Sequence, residues 1–215
     1  MLKDLYKNKI VILLATLTTF CFLLIAYRIF RFHNFGFIFL IWNLFLAGLP
    51  LVAAYFLKNE DRWRFKSILL FLFCLGFLPN APYILTDVIH LNRIGTAPIW
   101  YDLFLVLSFA LTGLLFGQFA LIYLSHFFEK MYSKTFSLLA IIFICFLSGF
   151  GVYLGRFLRW NSWDVINNPY ALGQDIADRV IYPLDHPRTY FVTLSTGFLL
   201  SVLFLSYKFV GKSDK

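Results

Sequence analysis

The sequence predicts an all-α, polytopic transmembrane helix bundle, and its composition is the first reason. Of 215 residues, 60% are hydrophobic and only 14% are charged, whereas soluble domains are about 45–50% apolar and about 25% charged. The mean hydropathy is +0.77. A water-soluble domain of this size has too much surface to hide so many apolar side chains. The composition therefore excludes a soluble enzyme, a disordered chain and a disulfide scaffold.

Six apolar segments are the second reason, because each has about the 20 residues that a membrane helix needs. The first follows three lysines and lacks a small-residue cleavage site, so we expect an uncleaved helix rather than a signal peptide. The six predicted spans make one integral membrane domain over residues 1–215. They are Lys9–Tyr27, Phe35–Leu57, Ser67–Leu91, Trp100–Leu124, Phe136–Leu158 and Tyr190–Val210.

The third predicted span is interrupted by Pro79 and Pro82. Each proline removes a backbone donor and clashes with the preceding turn, so the sequence predicts a kinked or discontinuous helix. At membrane depth such backbone must be buried in protein or face a wet cavity. Elsewhere, the GxxxG pairs Gly113/Gly117 and Gly151/Gly155 indicate close helix packing.

The basic residues predict the orientation of the chain. Twelve of the 19 Lys and Arg residues lie in the N-terminus, 58–66, 125–135 and the C-terminus, against seven on the other side. Because cytoplasmic loops are enriched in Lys and Arg, we expect both termini to be cytoplasmic. The net charge of +8 then reflects this bias, and no nucleic-acid partner is expected.

The predicted extracytoplasmic loop at 161–189 contains a helical pattern between Pro169 and Tyr182. The pattern predicts a short amphipathic helix, lying either on the outer membrane surface or packed on the bundle. Its predicted apolar face is Leu172, Ile176 and Val180, with Asp175, Asp178 and Arg179 on other faces.

Acidic residues and a histidine gather on the predicted extracytoplasmic side, where ionisable groups suggest function. Asp87 and His90 are three residues apart and would share one helical face. With Asp102 or Asp164 they could bind a divalent metal, or they could act as acid and base. The alternative is structural: Asp87 would bond a backbone donor freed by the prolines, and His90 would sit at the wet interface.

Arg156 and Arg159 are likewise three residues apart and predicted to share a helical face. Guanidinium groups bind phosphate in a bidentate manner, so this pair, with Asn80 and Asn161, is a candidate site for a lipid phosphate. Alternatively, the arginines form salt bridges with the nearby acids (Asp87, Asp102 or Asp164) or snorkel to headgroups.

Three stretches carry a family resemblance: LPNAPYILTDVIHL (78–91), WYD (100–102) and GVYLGRFLRWNSWDV (151–165). They resemble an uncharacterised bacterial membrane family labelled "domain of unknown function 1361". The resemblance implies a multi-pass protein of the bacterial cell membrane, with no assigned reaction and no catalytic residues to transfer.

Three functions stay open at this point. The first is an enzyme at the extracytoplasmic face that acts on a lipid-linked or phosphate-bearing envelope substrate. The second is a small transporter with the broken third helix in its pathway. The third is a non-catalytic membrane subunit or scaffold with an unidentified protein partner.

Overall fold

The computed structural model describes residues 2–91 and 97–213, with side chains described for residues 9–91 and 97–208. All regular structure in these residues is helical, which confirms the all-α prediction. The α-helices are α1 (Leu2–Phe32), α2 (Phe39–Leu57), α3 (Phe65–Phe77), α4 (Asn80–Tyr83), α5 (Ile99–Met131), α6 (Lys134–Phe157), α7 (Asp164–Asn167), α8 (Pro169–Ile181) and α9 (Pro187–Ser213). Two 3₁₀ helices span Ile84–His90 and Pro183–Asp185.

Among the residues that the structure describes, six helical stretches are long and apolar enough to cross a membrane, in agreement with the predicted number. They are Lys9–Phe32, Phe39–Leu57, Phe65–His90, Ile99–Met131, Lys134–Phe157 and Pro187–Lys208. Exposed large apolar side chains run along them, as expected for surfaces in contact with lipid. The fold is compatible with an integral, multi-pass membrane protein.

The third span is discontinuous, as the prolines predict. The α-helix ends at Phe77. The two prolines, Pro79 and Pro82, come next, and the chain continues as α4 and then as a seven-residue 3₁₀ helix. By contrast, α2 runs through Pro50 without ending. A long 3₁₀ run is uncommon and often marks a functional segment or a strained one.

The chain divides into two compact units, each made of two segments. Unit 1 is Met1–Gly48 with Asn80–Gly117, and unit 2 is Leu49–Pro79 with Gln118–Lys215. The prediction of one domain over residues 1–215 stays a prediction. Unit 1 has a continuous apolar core drawn from α1, α2, α5 and the broken span. Its members include Cys21, Ile25, Phe37, Leu40, Leu44, Ala81, Ile84 and Phe109.

In unit 1 the GxxxG pair of α5 packs against the broken span. A Cβ at Gly117 would lie 2.7 Å from the Ala81 Cβ, and one at Gly113 would lie 2.8 Å from the Ile84 Cδ1. Both contacts are too short for a side chain, so glycine is needed for this approach. The sequence prediction of close packing at Gly113 and Gly117 is confirmed.

In unit 2 glycines bring α6 against α9 and against the end of α3. A Cβ at Gly149 would lie 2.5 Å from the Thr193 carbonyl oxygen, and one at Gly151 would overlap the Pro79 ring. The contact that Gly151 makes is therefore with the proline break. This helix packing positions the end of α6, where two of the candidate arginines lie.

The connection at 158–186 contains the predicted helix, but the helix faces differ from the prediction. Leu172 and Arg179 of α8 are buried, and Asp175 and Ile176 between them are half-buried. The inward face therefore mixes apolar and charged side chains, whereas we expected the charges elsewhere. The reason is a hydrogen bond of 2.7 Å from the Trp160 Nε1 to the Asp175 Oδ2, which draws that carboxylate inward.

Candidate functional site

The predicted site residues fall into two sets, one in each unit. Asn80, Asp87, His90 and Asp102 belong to unit 1, and Arg156, Arg159, Asn161 and Asp164 belong to unit 2. Each set is described within its own unit. The expected convergence of all eight side chains stays a prediction.

Asp87 is a buried carboxylate in the 3₁₀ helix of the broken span. Its side chain is 1% exposed, and its Oδ2 accepts a hydrogen bond of 2.9 Å from the Asn43 Nδ2 of α2. In a 3₁₀ helix, side chains three residues apart eclipse one another. Asp87 and His90 therefore share a face, as predicted, although the helix is of a different type.

His90 ends the 3₁₀ helix and is half-buried. Its ring meets the Phe39 ring edge-on, with centroids 5.5 Å apart. An imidazole beside a buried carboxylate on one face is an arrangement that can relay a proton. At the other end of this polar segment, Asn80 is half-buried and opens α4.

Asp102 forms a salt bridge, as the structural alternative allowed, but with a partner that the sequence did not indicate. Both of its carboxylate oxygens accept from Arg28: Nε to Oδ1 at 2.7 Å and Nη2 to Oδ2 at 3.1 Å. Arg28 and Asp102 are 0% and 1% exposed. We expected a metal ligand or an acid/base group, but α1 continues to Phe32, past the predicted end at Tyr27, and so brings Arg28 to α5.

Further contacts hold this ion pair in place. The Arg28 Nη1 donates to the Asn34 backbone oxygen at 3.0 Å, and the guanidinium lies 4.7 Å from the Phe37 ring centroid. The neighbouring Tyr101 hydroxyl donates to the Leu24 carbonyl at 2.7 Å. The charge pair is buried from solvent and held by several hydrogen bonds, and it joins α1 to α5.

In unit 2, α6 ends between the two candidate arginines. The helix stops at Phe157, and Arg159 has a left-handed backbone with φ of 62°. The Trp160 backbone N–H donates to the Leu154 carbonyl at 3.1 Å. This hydrogen bond is typical of a helix C-terminus, where the left-handed position that Arg159 occupies is usually glycine. The predicted shared helical face of Arg156 and Arg159 is therefore wrong, because Arg159 lies beyond the helix.

Arg188 joins this end of α6 from the start of α9, and the sequence prediction missed it. Its guanidinium lies 5.5 Å from the Phe157 ring centroid. Arg159 and Arg188 are both exposed. Within the side chains that the structure describes, no carboxylate lies within 4 Å of either guanidinium. We call Arg156, Arg159 and Arg188, which lie at the end of α6, just beyond it and at the start of α9, the arginine cluster.

Asn161 and Asp164 form a local turn just after this cluster. The Asp164 Oδ2 accepts from the Asn161 backbone N–H at 2.7 Å and from its Nδ2 at 3.2 Å. These bonds begin the short α7. In the structure this carboxylate stabilises the turn that follows α6.

Residues 42–203 match the family described as "Protein of unknown function (DUF1361)". The match covers well over half of the chain. The chain belongs to this family. No curated protein and no solved structure matches it.

The DUF1361 match places the candidate residues relative to the family region. Asn43, Asp87 and the arginine cluster all lie within residues 42–203, and so does Asp102. Arg28 lies outside that range. The ion pair of this DUF1361 protein therefore joins a residue of the family region to a residue of the preceding helix.

The metal prediction for the DUF1361 chain receives no support from the described side chains. Among them, no three His, Cys, Asp or Glu residues gather in a group that could hold a metal ion. The three cysteines, Cys21, Cys74 and Cys145, are buried and unpaired as disulfides.

Proposed function

We propose that this protein binds a phosphate-bearing, lipid-linked substrate at the extracytoplasmic face of a bacterial cell membrane, with both termini in the cytoplasm. The arginine cluster would hold the phosphate. The orientation follows from the distribution of Lys and Arg along the chain. The substrate class follows from the position of the cluster at the ends of two membrane spans, α6 and α9.

The observation that carries the proposal is the conformation of Arg159. A left-handed backbone costs an L-residue roughly 1–2 kcal/mol, and glycine would avoid that cost. Strained non-glycine residues cluster at active sites and ligand-binding sites. Arg159 is exposed and makes no ion pair with a described side chain, so its side chain does not offset the backbone strain within the fold. This favours a role in binding.

The chemistry of the cluster suits a phosphate monoester or diphosphate. Guanidinium groups remain charged at all physiological pH values and present paired N–H donors to phosphate oxygens. Arg188 reaches the cluster while stacked on Phe157, which orients its planar group. A lipid phosphate would enter from the interface with its chain among the exposed apolar residues of α9, such as Phe191 and Leu194.

Asp87 and His90 would supply acid/base chemistry if the protein is an enzyme. This part of the proposal is supported by their shared face and by the Asn43 hydrogen bond, which orients the carboxylate. Phosphate binding depends on the arginine cluster alone, so it can hold whether or not these two residues act on the bound lipid. The two parts are therefore tested independently.

Binding is tested with the full chain in lipid nanodiscs, using polyprenyl phosphate as the probe and the corresponding polyprenol as its uncharged match. Native mass spectrometry would measure occupancy. We expect Arg159→Gln and Arg188→Gln each to weaken polyprenyl phosphate binding several-fold, since a charge-assisted hydrogen bond contributes about 1.5–3 kcal/mol when buried and less at an interface.

Arg31→Gln is the matched control, because Arg31 is also exposed and also lies over a neighbouring ring, 5.7 Å from the Phe32 centroid. Equal binding of the phosphate and the alcohol, or an equal loss in the Arg31 variant, would refute the proposal. Turnover of the bound lipid by wild type but not by Asp87→Asn or His90→Ala would establish the enzymatic part.

Transport is the second candidate, and the discontinuous third span favours it. Broken helices in transporters form substrate sites near the middle of the membrane. Asp87 in the 3₁₀ segment would then contact the transported solute. Uptake into proteoliposomes that is abolished by Asp87→Asn and unaffected by the Arg159 variant would support transport over lipid binding.

A further inference from the structure

The connection at 158–186 carries a second apolar surface, separate from the face of α8 that packs inward. Tyr170, Gly173, Ala177, Val180 and Ile181 recur at helical spacing along α8, and all five are exposed. Val180 and Ile181 are 65% and 64% exposed. We call these five residues the α8 stripe.

Polar contacts fix the opposite face of α8, so the stripe is held outward. Trp160 donates to Asp175, and the Arg179 Nη1 donates to the Asp175 Oδ1 at 3.1 Å. The Tyr190 hydroxyl of α9 donates to the Arg179 carbonyl at 2.7 Å. The helix is thus tied both to the end of α6 and to the start of α9, and it cannot roll to bury the stripe without breaking these bonds.

The position of the connection in the chain limits what can cover the stripe. It begins where the span Lys134–Phe157 ends and finishes where the span Pro187–Lys208 begins. Both of its ends therefore lie at the same face of the membrane. Tyr182 and Leu184, which is 92% exposed, follow the stripe in sequence, and the exposed apolar surface of α9 begins at Phe191, after the exposed Asp185 and Arg188.

From this geometry we infer that the α8 stripe inserts into the membrane interface, with the acyl-chain boundary of one leaflet as its partner. The stripe has no charged residue, while Asp175 and Arg179 lie on the inward face. Burial of apolar area at the acyl boundary is the force that holds interfacial helices. Anionic lipid is not required, because the stripe offers no cation to attract it.

The inference is independent of the proposed phosphate site, and it is tested by fluorescence quenching in proteoliposomes that contain only this chain. Three variants, Gly173→Cys, Ala177→Cys and Leu184→Cys, would each carry an environment-sensitive fluorophore on the introduced cysteine. The added Cβ at Gly173 meets nothing within 4 Å, so the label does not disturb packing. The native cysteines are buried, and buried thiols are generally unreactive.

Two control positions give the quenching expected for a label in lipid and for a label in water. Leu194→Cys lies on the exposed surface of the α9 span, and Asp61→Cys has a side chain that is 79% exposed in the loop after α2. We expect the two stripe labels and the neighbouring Leu184 label to resemble the Leu194 label: quenched by nitroxide-labelled lipid and several-fold less sensitive to aqueous iodide than the Asp61 label.

Iodide quenching equal to that at Asp61 would overturn the inference, because the stripe would then face water. Protection from iodide without quenching by nitroxide lipid would also overturn it, because a second copy of the chain would then cover the stripe. Each outcome leaves the polyprenyl phosphate result unaffected, so failure of one proposal does not decide the other.

Discussion

Arg28 and Asp102 form a buried, two-pronged ion pair that joins α1 to the first turn of α5. The Nε–Oδ1 and Nη2–Oδ2 distances are 2.7 Å and 3.1 Å. A buried pair of this kind is weak evidence of net stabilisation, because desolvation offsets the attraction. Breaking it is costly, however, because the remaining charge is left buried and unpaired.

Replacing Arg28 alone should therefore destabilise the protein strongly. We expect Arg28→Met to lower the free energy of unfolding by about 3–5 kcal/mol, measured by unfolding in detergent. The double variant Arg28→Met/Asp102→Leu should recover most of that loss, because no charge remains buried. Arg31→Met serves as the exposed control and should have little effect. A double variant as unstable as the single one would contradict the interpretation.

Removing the Asn43 amide should weaken the region around Asp87. Its Nδ2 donates to a carboxylate that is 1% exposed, and hydrogen bonds to charged groups contribute about 1.5–3 kcal/mol. We expect Asn43→Ala to lower stability by that order in the same assay. The matched control is Asn59→Ala, at an exposed position just after α2. Equal stability of the two variants would show that Asp87 does not depend on Asn43.

Adding a methyl group at Gly117 should separate α5 from the broken span. The new Cβ would lie 2.7 Å from the Ala81 Cβ, and overpacking of this kind costs about 1–3 kcal/mol. We expect Gly117→Ala to reduce thermal stability. Gly76→Ala is the control, since nothing lies within 4 Å of its added Cβ. There the helix propensity of alanine should leave stability unchanged or raise it by up to about 1 kcal/mol.

Two substitutions at Arg159 separate the effect of backbone strain on stability from the effect of the guanidinium charge on binding. We expect Arg159→Gly to raise stability by about 1 kcal/mol, because glycine adopts the left-handed backbone without penalty, and to weaken polyprenyl phosphate binding. Arg159→Gln should weaken binding equally without the gain in stability. Both quantities are measured on the same preparations. A glycine variant with unchanged binding would show that the arginine is not needed for the phosphate.

The Trp160–Asp175 hydrogen bond should control the mobility of the 158–186 connection. We expect Trp160→Phe to speed amide hydrogen exchange across this connection, while exchange in the α6 and α9 spans stays slow. Trp163→Phe is the control, because no hydrogen bond of the Trp163 indole is found among the described residues. If both variants exchange alike, the bond does not hold α8.

The spans and the break could be predicted from sequence because each depends on local chemistry. Apolar length predicts a membrane helix wherever it lies, and Pro79 and Pro82 remove backbone donors in any context. The same holds for the Gly113/Gly117 pair, whose spacing alone indicates a close approach. These features need no knowledge of what packs against them.

The pairing of side chains could not be predicted in this way. Asp102 and Arg28 are 74 residues apart in sequence, and the predicted first span ends at Tyr27, which leaves Arg28 in a loop. A single arginine, Arg28, within the apolar run from Leu23 to Phe30 is the available signal. Arg188 was missed because its stacking on Phe157 depends on how α6 and α9 pack, which the hydropathy pattern does not specify.

The backbone at Arg159 also has an evolutionary consequence. Selection for folding alone would favour glycine at this position, so under the proposed function it is phosphate binding that keeps the arginine. In relatives that have lost the phosphate ligand, the position should drift to glycine or asparagine, whereas relatives that keep the ligand should keep the arginine. The residue at this single position would then separate the family into two groups before any assay is run.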